Sequence, residues 1–124
     1  MIDILKGFPA QVVAVACRGH ITRHDYETVL VPAVEAALRQ HAKVRLYYRI
    51  DPDYSGFEAG AMWEDFKVGM QHLLRWERIA VVTDVDWIRH TIRGFSFVMP
   101  GEVRVFPLTE APAAEAWITG DLAG

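Results

Sequence analysis

Residues 43–57, KVRLYYRIDPDYSGF, decide how the rest of the chain folds. The even-numbered residues from Val44 to Ile50 are apolar or aromatic, whereas the odd-numbered residues from Lys43 to Arg49 are basic or tyrosine. Because successive side chains of an extended chain point to opposite faces, this alternation predicts a strand with one apolar and one polar face.

A turn and a helix are predicted after this strand. Residues 51–57 are rich in Asp, Pro and Gly, and beyond Phe57 apolar residues recur at three- and four-residue steps as far as about Trp76. Such spacing is typical of an amphipathic helix. A strand, a turn and a helix in this order are half of a βαβ unit.

The chain before this unit predicts a hairpin and a first helix. Runs at 2–6 and 11–18 alternate or are apolar, and a Gly/Pro turn separates them. Thr22 and Asp25 form a capping pattern for a helix over 23–41. The apolar positions of this helix, which repeat every four residues, are Tyr26, Leu30, Val34 and Leu38.

Pro32 interrupts the pattern of the first helix. A proline inside a helix lacks the N–H donor, and its ring crowds the carbonyl of the preceding turn, at a cost of about 3 kcal/mol. We therefore expect a kink or a break near Val31.

The second half of the chain continues the alternation of strands and helices. Residues 78–83 predict a strand, Asp84 can cap the helix that follows, and residues 102–106 predict the last strand. A terminal helix begins near Pro112 and ends at Gly120.

The resulting order, β-β-α-β-α-β-α-β-α, predicts an α/β fold with a mostly parallel five-stranded sheet and an antiparallel first edge strand. Consecutive strands placed side by side put right-handed crossover helices mainly on one face. The other face is then left open, and it carries Arg45, Tyr47 and Arg49. We expect this face to meet solvent, the polar side of a helix, or a second copy in a homodimer.

Composition limits the classes of function. A length of 124 residues with 52% hydrophobic content predicts a single domain over residues 1–124. The net charge of -3 argues against nucleic-acid binding. No stretch approaches the ~18 apolar residues of a membrane span or has the pattern of a secretory leader. Together with the one cysteine, Cys17, these features predict a cytoplasmic protein.

No motif for a metal or a cofactor is recognisable. The 5 histidines do not have the spacing of a zinc site, either with one another or with Cys17. The glycine-rich signatures of nucleotide binding and the serine-hydrolase elbow are missing from the sequence. We therefore predict neither a metal nor a cofactor.

Three junctions are predicted to converge at the carboxyl edge of the sheet, where ligands bind in open α/β folds: residues 19–22, 53–57 and 83–87. A helix beginning in 53–57 would offer free N–H groups to an anion, although ordinary capping by Ser55 or Asp53 explains the same composition. The candidate binding or regulatory residues are Asp53, Tyr54, Ser55, Gly56, Asp84, Asp86, Trp87 and His90.

The segments 25–33, 57–67, 79–90 and 99–106 together resemble the SpoIIAA-like proteins. These are small bacterial relatives of STAS domains and are similar in fold to the lipid-carrying CRAL-TRIO domains. Related anti-sigma-factor antagonists are phosphorylated on a serine in an Asp-Ser-Ser/Thr-Gly segment. In this chain Tyr54 stands at the position of the modified serine, and Ser55 is the hydroxyl that remains.

Three functional hypotheses follow. The first is a non-enzymatic regulatory module that contacts a protein partner through the three junctions. The second is a carrier of a lipid or another apolar ligand, because aromatic residues exceed what a small core needs. Its predicted ligand-facing residues are Trp63, Phe66, Phe95 and Met99. The third, ranked last, is an enzyme that uses Asp84, Asp86 and His90.

Overall fold

A five-stranded sheet forms the centre of the structure, a computed structural model that describes residues 1–58, 73–97 and 99–120. The strands are β1 (Ile2–Ile4), β2 (Val12–Cys17), β3 (His20–Ile21), β4 (Val44–Ile50), β5 (Gly56–Phe57), β6 (Trp76–Val82) and β7 (Glu102–Phe106). The helices are α1 (Arg23–Asp25), α2 (Val31–Gln40), α3 (Asp86–Ser96) and α4 (Ala111–Thr119), with a π-helical turn at Tyr26–Leu30 and 3₁₀ turns at Leu73–Arg75 and Leu108–Glu110.

The order of the strands confirms the predicted fold class. The sheet runs β1-β2-β4-β6-β7, so its strands lie side by side in chain order. Strand β1 is antiparallel to β2, with Ile2 opposite Cys17, and the other neighbours are parallel. The carboxyl ends of β2, β4 and β6 therefore meet at one edge.

The first helical region begins as predicted and changes its pitch before Pro32. The Asp25 N–H donates to the Thr22 hydroxyl oxygen at 3.2 Å, and the Asp25 carboxylate accepts from the Thr22 N–H at 2.9 Å. The five residues Tyr26–Leu30 are π-helical, and α2 starts at Val31. Pro32 thus lies in the first turn of α2, where a missing N–H is tolerated. The irregularity expected near Val31 takes the form of this π-to-α transition.

One face of the sheet carries the main core. The four predicted positions of the first helical region are all buried there. On the apolar face of β4, Val44, Tyr48 and Ile50 are buried and Leu46 is partly buried. Cys17 is also buried. Among the described residues, no helix has both the length and the apolar character required to cross a bilayer.

The opposite face is not open, which corrects the prediction from the sequence. Helix α4 covers it, with Ala114 and Ile118 packed into a second core that includes Tyr47. Arg45 is only 3% exposed and donates to the Glu77 carboxylate at 2.6 Å and to the Ile118 carbonyl at 2.9 Å. The polar face of β4 therefore packs beneath helix α4. The buried Arg45 guanidinium is tolerated there because it donates hydrogen bonds to carbonyls at the end of that helix.

Arg49, on the same face, is half-buried and pairs with Asp51 at 2.7 Å. Arg45 and Tyr47 are not available as a free dimer surface. The homodimer therefore stays a prediction without this support.

The prediction of a helix that starts at Phe57 must also be corrected. Gly56 and Phe57 form β5, which is parallel to β3 with His20 opposite Gly56. The Ser55 N–H donates to the Gly19 carbonyl at 2.9 Å, and the Glu58 N–H donates to the Ile21 carbonyl at 2.7 Å. These backbone groups are used in a ladder, so no helix begins at 53–57. Residues 59–72 lie outside the described residues, and Trp76 opens β6.

Candidate functional site

The three junctions meet at the carboxyl edge of the sheet. The β3–β5 ladder joins residues 19–22 to residues 53–57. The ring of Phe57 packs edge-on against the ring of Trp87, with centroids 6.3 Å apart, and so joins the third junction. Trp87 is 46% exposed at this edge.

The loop between β4 and β5 is held by backbone hydrogen bonds. The Asp51 N–H donates to the Cys17 carbonyl at 2.9 Å, and the Tyr54 N–H donates to the Asp51 carbonyl at 3.1 Å. The Tyr54 ring lies 5.2 Å from that of Phe57. Burial, with a further contribution from Cys17, raises the pKa of Tyr54 above its ordinary value of 10.0. Tyr54 is therefore a packing residue at the position where the resemblance to anti-sigma-factor antagonists would place the modified serine.

Asp53 and Ser55 are both exposed in this loop. The predicted capping role is wrong within the described residues, because β5 and not a helix follows Ser55. Gly56 has a φ of 145°, a backbone conformation that favours glycine. Its alpha carbon faces the His20 imidazole, so that an added Cβ would lie 3.5 Å from Nδ1.

The sequence predicted that Asp84 caps α3, but in the structure it does not. The N-cap of α3 is Val85, whose own N–H donates to the Thr83 hydroxyl oxygen at 3.0 Å. The Asp84 carboxylate instead accepts the N–H of Leu108 at 3.0 Å. Asp84 thus ties the end of β6 to the turn that follows β7.

Asp86 and His90 lie one turn apart on α3, and both are exposed. Within the described ranges, the structure shows neither a hydrogen bond nor an ion pair between them. Asp84 is engaged by Leu108, so the carboxylate pair and the imidazole are not assembled into an acid–base group. The same ranges contain no group of three His, Cys, Asp or Glu side chains arranged as metal ligands.

An apolar cavity of about 300 Å³ lies on the main core face. Strands β4, β6 and β7 form its floor, the π-helical turn and α2 one wall, and α3 the other. Phe57 and Trp87 also line it, so the wall reaches the surface at the edge where the junctions meet. None of the lining residues that the structure describes is charged.

Two tyrosines interrupt this apolar wall. Tyr26 comes from the π-helical turn and Tyr48 from β4, and their hydroxyl groups form a hydrogen bond with each other. Both side chains are buried. The sequence placed both correctly on apolar faces, but it did not reveal that they line a cavity.

The residues predicted for an apolar ligand divide into three groups. Phe95 is half-buried in the cavity wall. Met99 is buried in the main core and is not one of the described lining residues. Trp63 and Phe66 lie outside the described residues. The sequence missed Phe57 and Trp87 as wall residues, although their positions at two converging junctions were a usable signal.

Comparisons with known proteins agree with this architecture. A crystal structure of an uncharacterized protein of the DUF3478 family from Shewanella loihica PV-4, with a SpoIIAA-like fold, is similar to this chain. The TM-score is 0.70 at 24% identity, over 95% of this chain and 92% of that one. A comparison with curated proteins gives no significant match. The family model described as SpoIIAA-like matches residues 12–119, and the chain therefore belongs to the SpoIIAA-like family.

Proposed function

We propose that this chain is a non-enzymatic binding module that holds a small apolar ligand in the cavity between α2, α3 and the sheet. The observation that carries the proposal is the cavity itself, about 300 Å³ with a wall of apolar and aromatic side chains. This size is at the lower end of the range of about 300–1,000 Å³ in which small-molecule sites fall. A water molecule takes about 30 Å³ of liquid volume, so the space corresponds to roughly ten water-sized groups.

An occupant would also stabilise the fold. A ligand that binds the folded state and not the unfolded state adds RT ln(1 + [L]/Kd) to the free energy of unfolding. The whole stability of a domain is about 5–15 kcal/mol. A gain of about 2.7 kcal/mol, expected at a hundred times the Kd, would be a measurable part of that stability.

The test is stabilisation by a small apolar probe. Urea unfolding is measured with and without 1-octanol, and at a hundred times its Kd the probe is expected to add about 2.7 kcal/mol to the free energy of unfolding. The control is Val81→Phe, which places a ring in the cavity and should remove the effect. Equal stabilisation of both proteins, or none of either, contradicts the proposal.

A second candidate is a regulatory contact with a protein partner at the carboxyl edge. The observation in its favour is the exposed Trp87 beside the exposed Ser55 loop, on the rim formed by the three junctions. The regulatory role implied by the resemblance to anti-sigma-factor antagonists belongs to this candidate. The cytoplasmic location expected from the sequence stays a prediction.

Ser55→Glu separates the two candidates, because Ser55 is not among the described residues of the cavity wall. A partner recovered by the original chain and lost by Ser55→Glu, with unchanged 1-octanol binding, supports the rim contact. Recovery of the same proteins by both chains speaks against it.

A further inference from the structure

Strand β7 forms one edge of the sheet in the part of the chain that the structure describes. Two of its side chains reach solvent: Glu102 is 60% exposed and Arg104 is 57% exposed. An edge strand offers backbone N–H and C=O groups with which another strand can pair. We propose that β7 pairs with β7 of a second copy of this chain, antiparallel, about a two-fold axis at Val103. This dimer does not depend on the proposed ligand.

The first step concerns the backbone groups of β7. At the end of its parallel ladder with β6, the Phe106 carbonyl accepts the Thr83 N–H at 2.9 Å. Successive residues of a strand direct their backbone groups to opposite sides, so alternate residues bond to the same neighbour. Arg104 and Phe106 therefore bond to β6, whereas the backbone groups of Val103 and Val105 point away from it. An antiparallel strand can bond to these outward groups.

The second step concerns charge. Charged side chains on an edge strand normally oppose pairing with another strand. On β7, Glu102 and Arg104 carry opposite charges two residues apart, on the face where Arg104 lies 4.8 Å from the centre of the Trp117 ring. A two-fold axis at Val103 places Glu102 of each copy opposite Arg104 of the other. The charges on this edge are therefore complementary to those of a second copy.

The third step concerns the register of the two strands. An axis at Glu102 or at Arg104 would place like charges directly opposite each other, which is destabilising. An axis at Val105 would place Val103 opposite Pro107, which has no N–H to donate. An axis at Val103 avoids both faults. It also makes Val103 face its own counterpart, so that each N–H donates to the other carbonyl. Charge and hydrogen bonding thus select the same register.

The ion pair within one strand does not compete strongly with the dimer. The Arg104 guanidinium and the Glu102 carboxylate lie 3.8 Å apart in a single copy, and both side chains are exposed. An exposed ion pair of this kind contributes little to stability. In the dimer each of the two side chains keeps this neighbour and gains a second neighbour of opposite charge from the other copy.

The experiment is a charge exchange, followed by sedimentation equilibrium over roughly 1 μM to 1 mM, because a contact between two short strands is small. We expect the original chain to dimerise in this range. Glu102→Arg and Arg104→Glu should each weaken the dimer by at least about fourfold, because two attractive pairs become repulsive. The double variant Glu102→Arg/Arg104→Glu should dimerise again, and so should a one-to-one mixture of the two single variants.

Glu35→Arg is the matched control, because it makes the same change of charge at an exposed position of α2. It should leave dimerisation unchanged, and circular dichroism checks that every variant is folded. A chain that stays monomeric throughout this range overturns the proposal. A dimer that forms equally well in all variants also overturns it, because the contact then lies on another surface. If neither the double variant nor the mixture regains the dimer, the charge pairing about Val103 is wrong.

Discussion

Two adjacent valines of β6 provide a direct test of the cavity. Val81 is buried and lines the cavity on the main core face. Val82 is also buried, but it lies in the second core with Ala114 and Ile118 beneath α4. The same substitution, valine to phenylalanine, therefore places an equal volume in an open space at one position and in a packed core at the next.

The expected effects have opposite signs. Overpacking a filled core costs about 1–3 kcal/mol, so Val82→Phe should lower the free energy of unfolding by that amount. At Val81 the added carbon atoms enter empty space, and burial is worth about 0.8 kcal/mol per methylene before losses to strain. We expect Val81→Phe to raise the free energy of unfolding by about 1–2 kcal/mol. The two variants should then differ by about 2–5 kcal/mol.

Urea unfolding followed by circular dichroism, without any added ligand, gives both values from the midpoint and the slope. The slopes should agree with that of the original chain, since the surface exposed on unfolding hardly changes. A loss of similar size in both variants would refute the reasoning, because the space beside Val81 would then be filled.

Three further predictions concern residues that hold the fold. Arg45→Met removes the donor of the Ile118 carbonyl and one of the two donors of the Gly120 carbonyl, the other being Arg78, and should cost about 2–3 kcal/mol in urea unfolding. The exposed Arg104→Met should cost under about 1 kcal/mol. Burial alone would raise the pKa of Asp25, but hydrogen bonds from its cap and the N-terminal ammonium hold that pKa below 3.8. The stability it contributes is complete above about pH 4 and is lost as pH falls through the folded-state pKa, so Asp25→Asn should flatten the acid limb of the stability profile. A Cβ at Gly101 would lie 2.3 Å from a backbone oxygen of β6, so Gly101→Ala should prevent stable folding, while Gly94→Ala in open space should raise the melting temperature.

The sequence was sufficient for features that depend on local periodicity. The alternation in β4 predicted which face joins the main core, and the Thr22 cap predicted where the first helical region starts. Strand order also followed, because short crossovers place consecutive strands side by side. Each of these features depends on residues that are close together in the sequence. The spacing of residue types along the chain was therefore enough to predict it.

Features that depend on a distant partner could not be predicted in the same way. Phe57 belongs to an apolar helical spacing, yet its backbone pairs with Ile21, which lies far away in sequence. Arg45 has the side chain of a surface residue, but carbonyls at the end of α4 draw it into the interior. No local pattern specifies which backbone groups another segment will satisfy.

The cavity is a more general case of this difficulty. A residue that lines an apolar cavity and a residue that fills a core obey the same hydropathy pattern, because both are removed from water. The distinguishing signals in this chain are chemical: an aromatic content above the need of a small core, and two tyrosines, Tyr26 and Tyr48, on stripes that are otherwise apolar. A buried hydroxyl requires a partner. Here the two hydroxyl groups come from separate elements and meet on the cavity wall, a pairing across the fold that no local sequence pattern specifies.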